Sequence, residues 1–299
     1  MGGIASGGHG SEAEPSGELF YKATAPMSHT SPFAASKFDL LSMVVTPVEM
    51  SFQGNEIAHG TGFLWRHGEK VYLITNWHNV TGVHPFTGAH LNEGGCVPDA
   101  ITFHPAFRSF SSSGYVVYRD TFTRPLYEDF HEPFWVQHPQ FETMRTDIVA
   151  LEITSTPNFM VTLQDMGLEN LHTHIGSEVF IIGYPFRDYK DPYLPLWKRG
   201  SIASEPLMPW HGKPIFMVDA ASRPGMSGSP VFRRVFGPAP LLETDSSITV
   251  DLQKVVSSQF AGVYSGHLTE QNESLTIGIA WQGDLVHELL ADPAPGTRS

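Results

Sequence analysis

The sequence predicts an all-β protein built as two antiparallel barrels of about six strands each. Three observations point there. The 299 residues include 28 glycines and 23 prolines, a density that favours many turns over long helices. From residue 38 onward the chain breaks into short apolar runs of strand length, each bounded by turn residues. These runs fall into two comparable sets, on either side of a stretch at 157–176 that has no strand pattern.

Residues 1–37 are rich in Gly, Ser, Ala, Pro and Glu and are expected as a disordered tail. Within it, Met1-Gly2-Gly3-Ile4-Ala5-Ser6 fits the short pattern for N-myristoylation, and Met27 offers an alternative start. The first barrel is expected over 38–160, with strands near 40–48, 62–66, 71–76, 100–104, 115–119, 135–138 and 148–153. The stretch 81–145 holds more loop than a minimal barrel needs, and long loops on a rigid scaffold are where recognition often sits. The second barrel is expected over 161–299, with strands near 178–184, 200–204, 214–219, 230–234, 255–264 and 275–281. A short helical turn is expected at 165–171. The one clear helix comes last, at 284–290. There Asp284 can cap the N-terminus, and Leu285/Leu289 and Val286/Leu290 pair at four-residue spacing.

Composition excludes several classes. Hydrophobic residues make up 41 % of the chain, as in an ordinary globular protein. With 31 acidic against 18 basic residues the net charge is −13, which argues against a nucleic-acid surface. Lys198-Arg199 and Arg233-Arg234 read as solvated surface rather than a binding patch. Cys96 is the single cysteine, so no intrachain disulfide forms and a reducing, cytoplasmic compartment is expected. No apolar run approaches bilayer-spanning length, so no membrane span is expected, and with no basic region followed by an apolar stretch near the N-terminus a secretory signal is not expected either. His172-Thr173-His174 and the pair His131 and His138 invite a metal, but no third ligand accompanies them. Neither a metal nor a cofactor is expected.

The chemistry concentrates in three places. Arg223-Pro224-Gly225-Met226-Ser227-Gly228-Ser229-Pro230 sets a serine among small residues. Such neighbours let the backbone turn sharply, let a carbonyl approach, and leave N–H groups free to face a developing oxyanion. His78 follows the apolar run Val71-Tyr72-Leu73-Ile74-Thr75-Asn76, preceded by Gly60-Thr61-Gly62-Phe63. Asp147 opens the apolar run Ile148-Val149-Ala150-Leu151, an awkward place for a charge unless it is paired. Asp120, Asp129 and Glu142 remain alternatives to it, though none opens a comparable strand.

With these motifs in the order His, Asp, Ser, the chain resembles the chymotrypsin-like serine peptidases, in particular their disulfide-free bacterial branch. Thr75-Asn76-Trp77-His78 is similar to the histidine motif of glutamyl endopeptidases and high-temperature-requirement proteases. Asp147-Ile148-Val149-Ala150-Leu151 resembles the aspartate motif, and Gly225-Met226-Ser227-Gly228-Ser229-Pro230 the serine motif. Gly183-Tyr184-Pro185-Phe186 resembles a turn early in the second barrel. The resemblance covers about residues 38–292 and implies two perpendicular barrels with a catalytic cleft between them. It implies a prokaryotic serine endopeptidase acting on protein or peptide through His78, Asp147 and Ser227. The backbone N–H groups of Gly225 and Ser227 would form the oxyanion hole. Ala221, Ser222, Tyr264, Ser265 and Gly266 would line the substrate pocket, which lacks a basal aspartate and suits a small or medium apolar side chain. Two other readings stay open. One is a dormant or inactive peptidase-fold binding module. The other is a peptidase regulated by a protein partner within a stress or defence assembly.

One departure from the family pattern has a consequence. Many members carry an acidic residue just before the serine, to pair with a freshly cleaved N-terminal amine. Met226 stands there and can form no ion pair. A chain lacking its first 30 or so residues is therefore expected to hydrolyse peptides as fast as the full chain. Loss of turnover on such a truncation, with the fold intact by circular dichroism, would refute this.

Overall fold

Two antiparallel sheets organise the chain. The computed structural model describes residues 33–34, 38–92, 94–111, 114–129, 131–154, 159–189, 193–221, 223–252, 255–270 and 273–298. The first sheet has eight strands. In spatial order they are Ala294–Pro295, Trp135–Gln137, Val149–Thr154, Lys70–Thr75, Asn55–His67, Val45–Phe52, Ala100–Phe103 and Phe122–Pro125. Its hydrogen bonding does not close into a ring among the described residues. The second sheet is a closed six-stranded barrel of Glu178–Gly183, Leu196–Ile202, Ile215–Asp219, Glu273–Gln282, Val256–Glu270 and Pro230–Phe236. The all-β double-barrel class follows the expectation: the second half closes with six strands, and the first curls as a half-barrel of eight strands where about six are expected.

Alternate residues of single strands feed different cores, because successive side chains leave a strand on opposite faces. Leu64, Val71, Leu73, Val149 and Leu151 fill the interior of the first sheet. Val179, Ile181, Val218, Val231 and Ala280 fill the closed barrel. Their neighbours Phe63, Trp65, Ile74, Ile182, Phe232 and Trp281 build a third core shared by the two sheets. Strands buried on both faces read as continuous apolar runs rather than alternating ones. The helix Asp284–Ala291 adds Leu285, Val286, Leu289 and Leu290 to that shared core. After it the chain crosses back, and Ala294–Pro295 pairs with Trp135–Gln137 of the first sheet.

Several expectations shift. Asp284 is the first helical residue; Gly283 occupies the cap position, with no side-chain cap hydrogen bond. The helical turn expected at 165–171 lies earlier, at Leu163–Met166, because Thr162 and Asp165 form a capping box around it. The strand expected at 200–204 is Leu196–Ile202. The ribbon Ala239–Leu242 with Ile248–Asp251 and the strand Ala106–Ser111 were not foreseen. Phe33–Ala34, expected within the tail, pair with Val116 and Val117. The myristoylation pattern and Met27 lie outside the described residues. No described helix is long and apolar enough to cross a membrane.

A buried cation ties the start of the first sheet to its later strands. Arg119 is 2 % exposed. It donates from Nη1 to the His104 carbonyl at 2.7 Å, and from Nη2 to the carbonyls of Ser42 at 2.8 Å and Val45 at 2.9 Å. His104 is itself buried, stacked on Tyr193 with ring centroids 4.1 Å apart. Burial, assisted by the Arg119 charge, lowers its pKa to about 4. The folded protein thus keeps His104 neutral at a pH where the unfolded chain, titrating near 6.5, protonates it. Its contribution to stability is complete above pH 6.5 and is lost as pH falls toward 4. At about 1.4 kcal/mol per unit, a shift from 6.5 to about 4 corresponds to about 3 kcal/mol. Urea unfolding midpoints should fall across this window, and His104→Gln should flatten the fall. An unchanged pH slope in the variant would refute the assignment.

Candidate active site

Strand register brings the first two motifs together. Lys70–Thr75 and Val149–Thr154 run antiparallel, with Thr75 opposite Val149 and Ile74 opposite Ala150. Residues just past Thr75 therefore lie beside residues just before Val149. His78 is the second residue of the one-turn helix Trp77–Thr81, and Trp77 anchors that helix in the core at 2 % exposure. Gly82 ends it in the left-handed conformation, its N–H on the His78 carbonyl.

Asp147 is fully buried and accepts three hydrogen bonds. His78 Nδ1 lies 2.6 Å from Oδ2, and the His78 backbone N–H donates to Oδ1 at 2.9 Å. The Ser265 hydroxyl also donates to Oδ2. The Asn76 amide holds the Asp147 carbonyl at 2.6 Å. A buried carboxylate needs such donors, since desolvation without them costs several kcal/mol, on the order of 2–7 for even a neutral polar group. With Asp147 accepting from Nδ1, the Nε2 of His78 is left to act as a base. Asp120, Asp129 and Glu142 make no contact with His78 among the described hydrogen bonds and ion pairs.

Ser227 comes from the second sheet, in the turn between Ile215–Asp219 and Pro230–Phe236. Two glycines in this turn are required by the backbone. Gly225 has φ +95°, and a Cβ there would come within 2.4 Å of the Tyr184 carbonyl. Gly228 has φ +86°, and a Cβ there would come within 2.0 Å of the Thr61 carbonyl. Only glycine takes such angles against such close backbone. Ser229 N–H donates to the Met226 carbonyl at 3.0 Å, and Tyr264 N–H to the Ser229 carbonyl at 2.8 Å. Neither the Gly225 nor the Ser227 N–H donates to a protein acceptor among the described residues. Met226 is fully buried in the closed-barrel core.

His78, Ser227, Gly225, Ser265 and Gly266 line one cleft of about 790 Å³. Ser227 Oγ makes no hydrogen bond to His78 among the described residues. In unliganded sites that bond is often long and tightens when substrate binds. Ala221 is exposed beyond the strand Ile215–Asp219 and does not line the cleft. Tyr264 is 1 % exposed and packs in the closed-barrel core, its ring over Gly278. Ser222 lies outside the described residues.

Further cleft residues escaped the sequence reading: His59, Asn79, His84, Phe86 and Arg187. Asn79 donates to the Thr75 hydroxyl at 2.9 Å and to the Ser227 carbonyl at 3.3 Å. Its place one residue after His78 was the available signal. Arg187 Nε donates to His59 Nδ1 at 3.2 Å, which leaves the proton of the neutral ring on Nε2, beside Gly225. Burial, then the Arg187 charge, lowers the His59 pKa. Burial likewise lowers that of His84, with Asp147 opposing. Both rings therefore favour the neutral form near pH 7. The rings of His172 and His174 stack at 5.6 Å, and no group of three potential metal ligands occurs among the described residues.

Comparison with known proteins adds the following. Several solved structures match this chain at low identity. An HtrA-type protease, AlgW, with a tripeptide matches at 15 % identity and TM-score 0.43, over 84 % of this chain and 60 % of its own. A serine endoprotease from Yersinia pestis matches at 15 % identity and TM-score 0.43, over 84 % and 62 %. The Rv3671c protease in an inactive form matches at 16 % identity and TM-score 0.38, over 84 % and 88 %. The chain thus spans about 60 % of the length of the first two. No curated protein sequence matches it. The sequence pattern of the trypsin-like peptidase domain matches residues 60–235, more than half of the chain. The protein belongs to the family of trypsin-like peptidase domains.

Proposed function

We propose that the protein is a serine endopeptidase whose His78, Asp147 and Ser227 act as a triad through an acyl-enzyme intermediate. The observation that carries the reading is the buried carboxylate of Asp147 on His78 Nδ1 at 2.6 Å, in the cleft that Ser227 also lines. Membership of the trypsin-like peptidase family supports the same reaction class.

Ser227 Oγ attacks the scissile carbonyl carbon while His78 Nε2 takes the hydroxyl proton. The carbonyl oxygen gains the charge and is met by the N–H groups of Gly225 and Ser227. One such donor contributes about 3 kcal/mol to the transition state. The carbon–nitrogen bond then breaks, His78 returns its proton to the leaving amine, and the acyl group stays on Ser227. Water, deprotonated by His78, attacks the ester and releases the acid. Through both steps Asp147 keeps the proton on Nδ1 and stabilises the imidazolium. Ser265 and Gly266 offer backbone for the substrate to add as a strand, a mode that reads main chain more than side chains.

A fluorophosphonate probe tests the nucleophile. Wild type should label covalently, and Ser227→Ala should not. Asp147→Asn should cut turnover by about 10⁴-fold, since it leaves the imidazole in the wrong tautomer. Labelling that survives in Ser227→Ala would remove Ser227 from the mechanism. Absence of labelling in a folded wild type would favour the dormant binding module.

A further inference from the structure

The serine turn is fastened from outside itself, and chiefly by one residue of the other sheet. Thr61 N–H donates to the Ser227 carbonyl at 2.8 Å. The Thr61 hydroxyl donates to the Gly225 carbonyl at 2.8 Å and accepts from the Tyr184 N–H at 3.0 Å. The Thr61 carbonyl accepts from the Thr75 hydroxyl at 2.8 Å. Thr61 is fully buried, so every polar atom it has is committed.

A carbonyl and the N–H of the next residue share a rigid plane and point in opposite directions. Holding the Gly225 carbonyl therefore turns the Met226 N–H back toward the Arg223 carbonyl, at 3.2 Å. Holding the Met226 carbonyl, as Ser229 does, turns the Ser227 N–H the opposite way, on a residue that lines the cleft. Holding the Ser227 carbonyl directs the Gly228 N–H onto the Tyr264 carbonyl, at 2.9 Å. Thr61 thus fixes the planes immediately before and after Met226-Ser227. With those planes set, the positive φ of Gly225 aims its own N–H.

We propose that Thr61 is a positioning residue for oxyanion stabilisation: its hydroxyl and N–H hold the serine turn in the shape that presents the Gly225 and Ser227 N–H groups, which meet no protein acceptor among the described residues. This rests on the reading that the Gly225 and Ser227 N–H groups receive the oxyanion. The chemistry of the position is narrow. It takes a group that both donates to one carbonyl and accepts from one N–H in a space of threonine size, which a hydroxyl does and an alkyl group does not. Valine matches the shape and leaves the Gly225 carbonyl and the Tyr184 N–H buried without partners.

The test compares wild type, T61V, T61S and S227A. Fluorophosphonate labelling gives the inactivation rate and the probe's dissociation constant, and dye-quenched casein gives kcat and KM. T61V should lower the inactivation rate and kcat by about 10- to 100-fold with KM within about twofold, the pattern of a misplaced transition-state donor. T61S should recover most of the rate, because it restores the hydroxyl. If T61V does not fold, T61C carries the test, since a thiol of similar size bonds more weakly; its kcat should fall well below that of T61S, with KM within about twofold of wild type. A kcat near wild type in T61V or T61C, a loss confined to KM, or a T61S as impaired as T61V would overturn the proposal. S227A separates the two readings. If S227A is inert while T61V turns over normally, only the role of Thr61 fails. If S227A still turns over, the serine mechanism itself fails.

Discussion

The groups at the cleft are divided between two sheets, so everything depends on the apolar core the sheets share. His78 and Asp147 belong to the first sheet, and Ser227 to the closed barrel. No covalent link other than the chain itself fixes their separation, since Cys96 is the only cysteine. Phe63, Trp65, Ile74, Ile182, Phe232 and Trp281 fill the space between the sheets. Close-packed interiors tolerate little change of volume, so these side chains act as the spacer that a disulfide cannot supply. The final helix reinforces them from one end, with four residues buried in the same core. His138, on the first sheet's side, bonds Glu288 of that helix at 3.0 Å.

A polar chain runs through this apolar spacer and does what packing cannot, which is to fix orientation. It begins at the buried guanidinium of Arg119, whose Nη2 lies 3.5 Å from the Tyr184 hydroxyl. That hydroxyl donates its one proton to the Tyr193 carbonyl at 2.5 Å, with the Val45 carbonyl 3.2 Å away. The Tyr184 N–H continues to Thr61, and Thr61 to Gly225 and Ser227. Hydrophobic burial is non-directional. Hydrogen bonds in a low-dielectric interior are directional and costly to leave unmade. The two together set first the distance and then the angle of the serine turn relative to His78.

Much of this was legible in the sequence, and the residues show why some was not. The strands that feed two cores stand out as unbroken apolar runs, as in Val71 to Thr75. Residues 78, 147 and 227 stand out because a polar group next to such a run must be paired or used. The strand Ala106–Ser111 was hidden because Arg108 and Ser109 interrupt it, and Arg108 turns to an ion pair with Asp165 at 2.6 Å. The ribbon at 239–251 was hidden because Pro240 and the polar run 243–247 read as loop. Thr61 lay in plain view between Gly60 and Gly62, but the groups its hydroxyl bonds, Gly225 and Tyr184, are 164 and 123 residues away. No local pattern encodes a contact at a separation of 164 residues. The same limit applies to Tyr264. Strand alternation gives it a face, yet only the closed barrel shows that this face is the core.

The placement of Met226 links these observations to how such a turn can be kept in shape. An acidic residue before the serine offers an ion pair as the fastening, and an ion pair requires an amine to arrive. Here that position is fully buried among Val179, Ile181, Ile202 and Val231, where a charge would meet no partner. Burying a methionine side chain contributes about 1.5–3 kcal/mol. A lone carboxylate in the same place would cost more than that and would shift to its neutral form instead. The turn is therefore anchored by an apolar plug from below and by the Thr61 hydrogen bonds from the side. Both are formed by folding alone. The shape of the turn thus rests on two kinds of contact within the folded chain, an apolar one below it and a hydrogen-bonded one beside it.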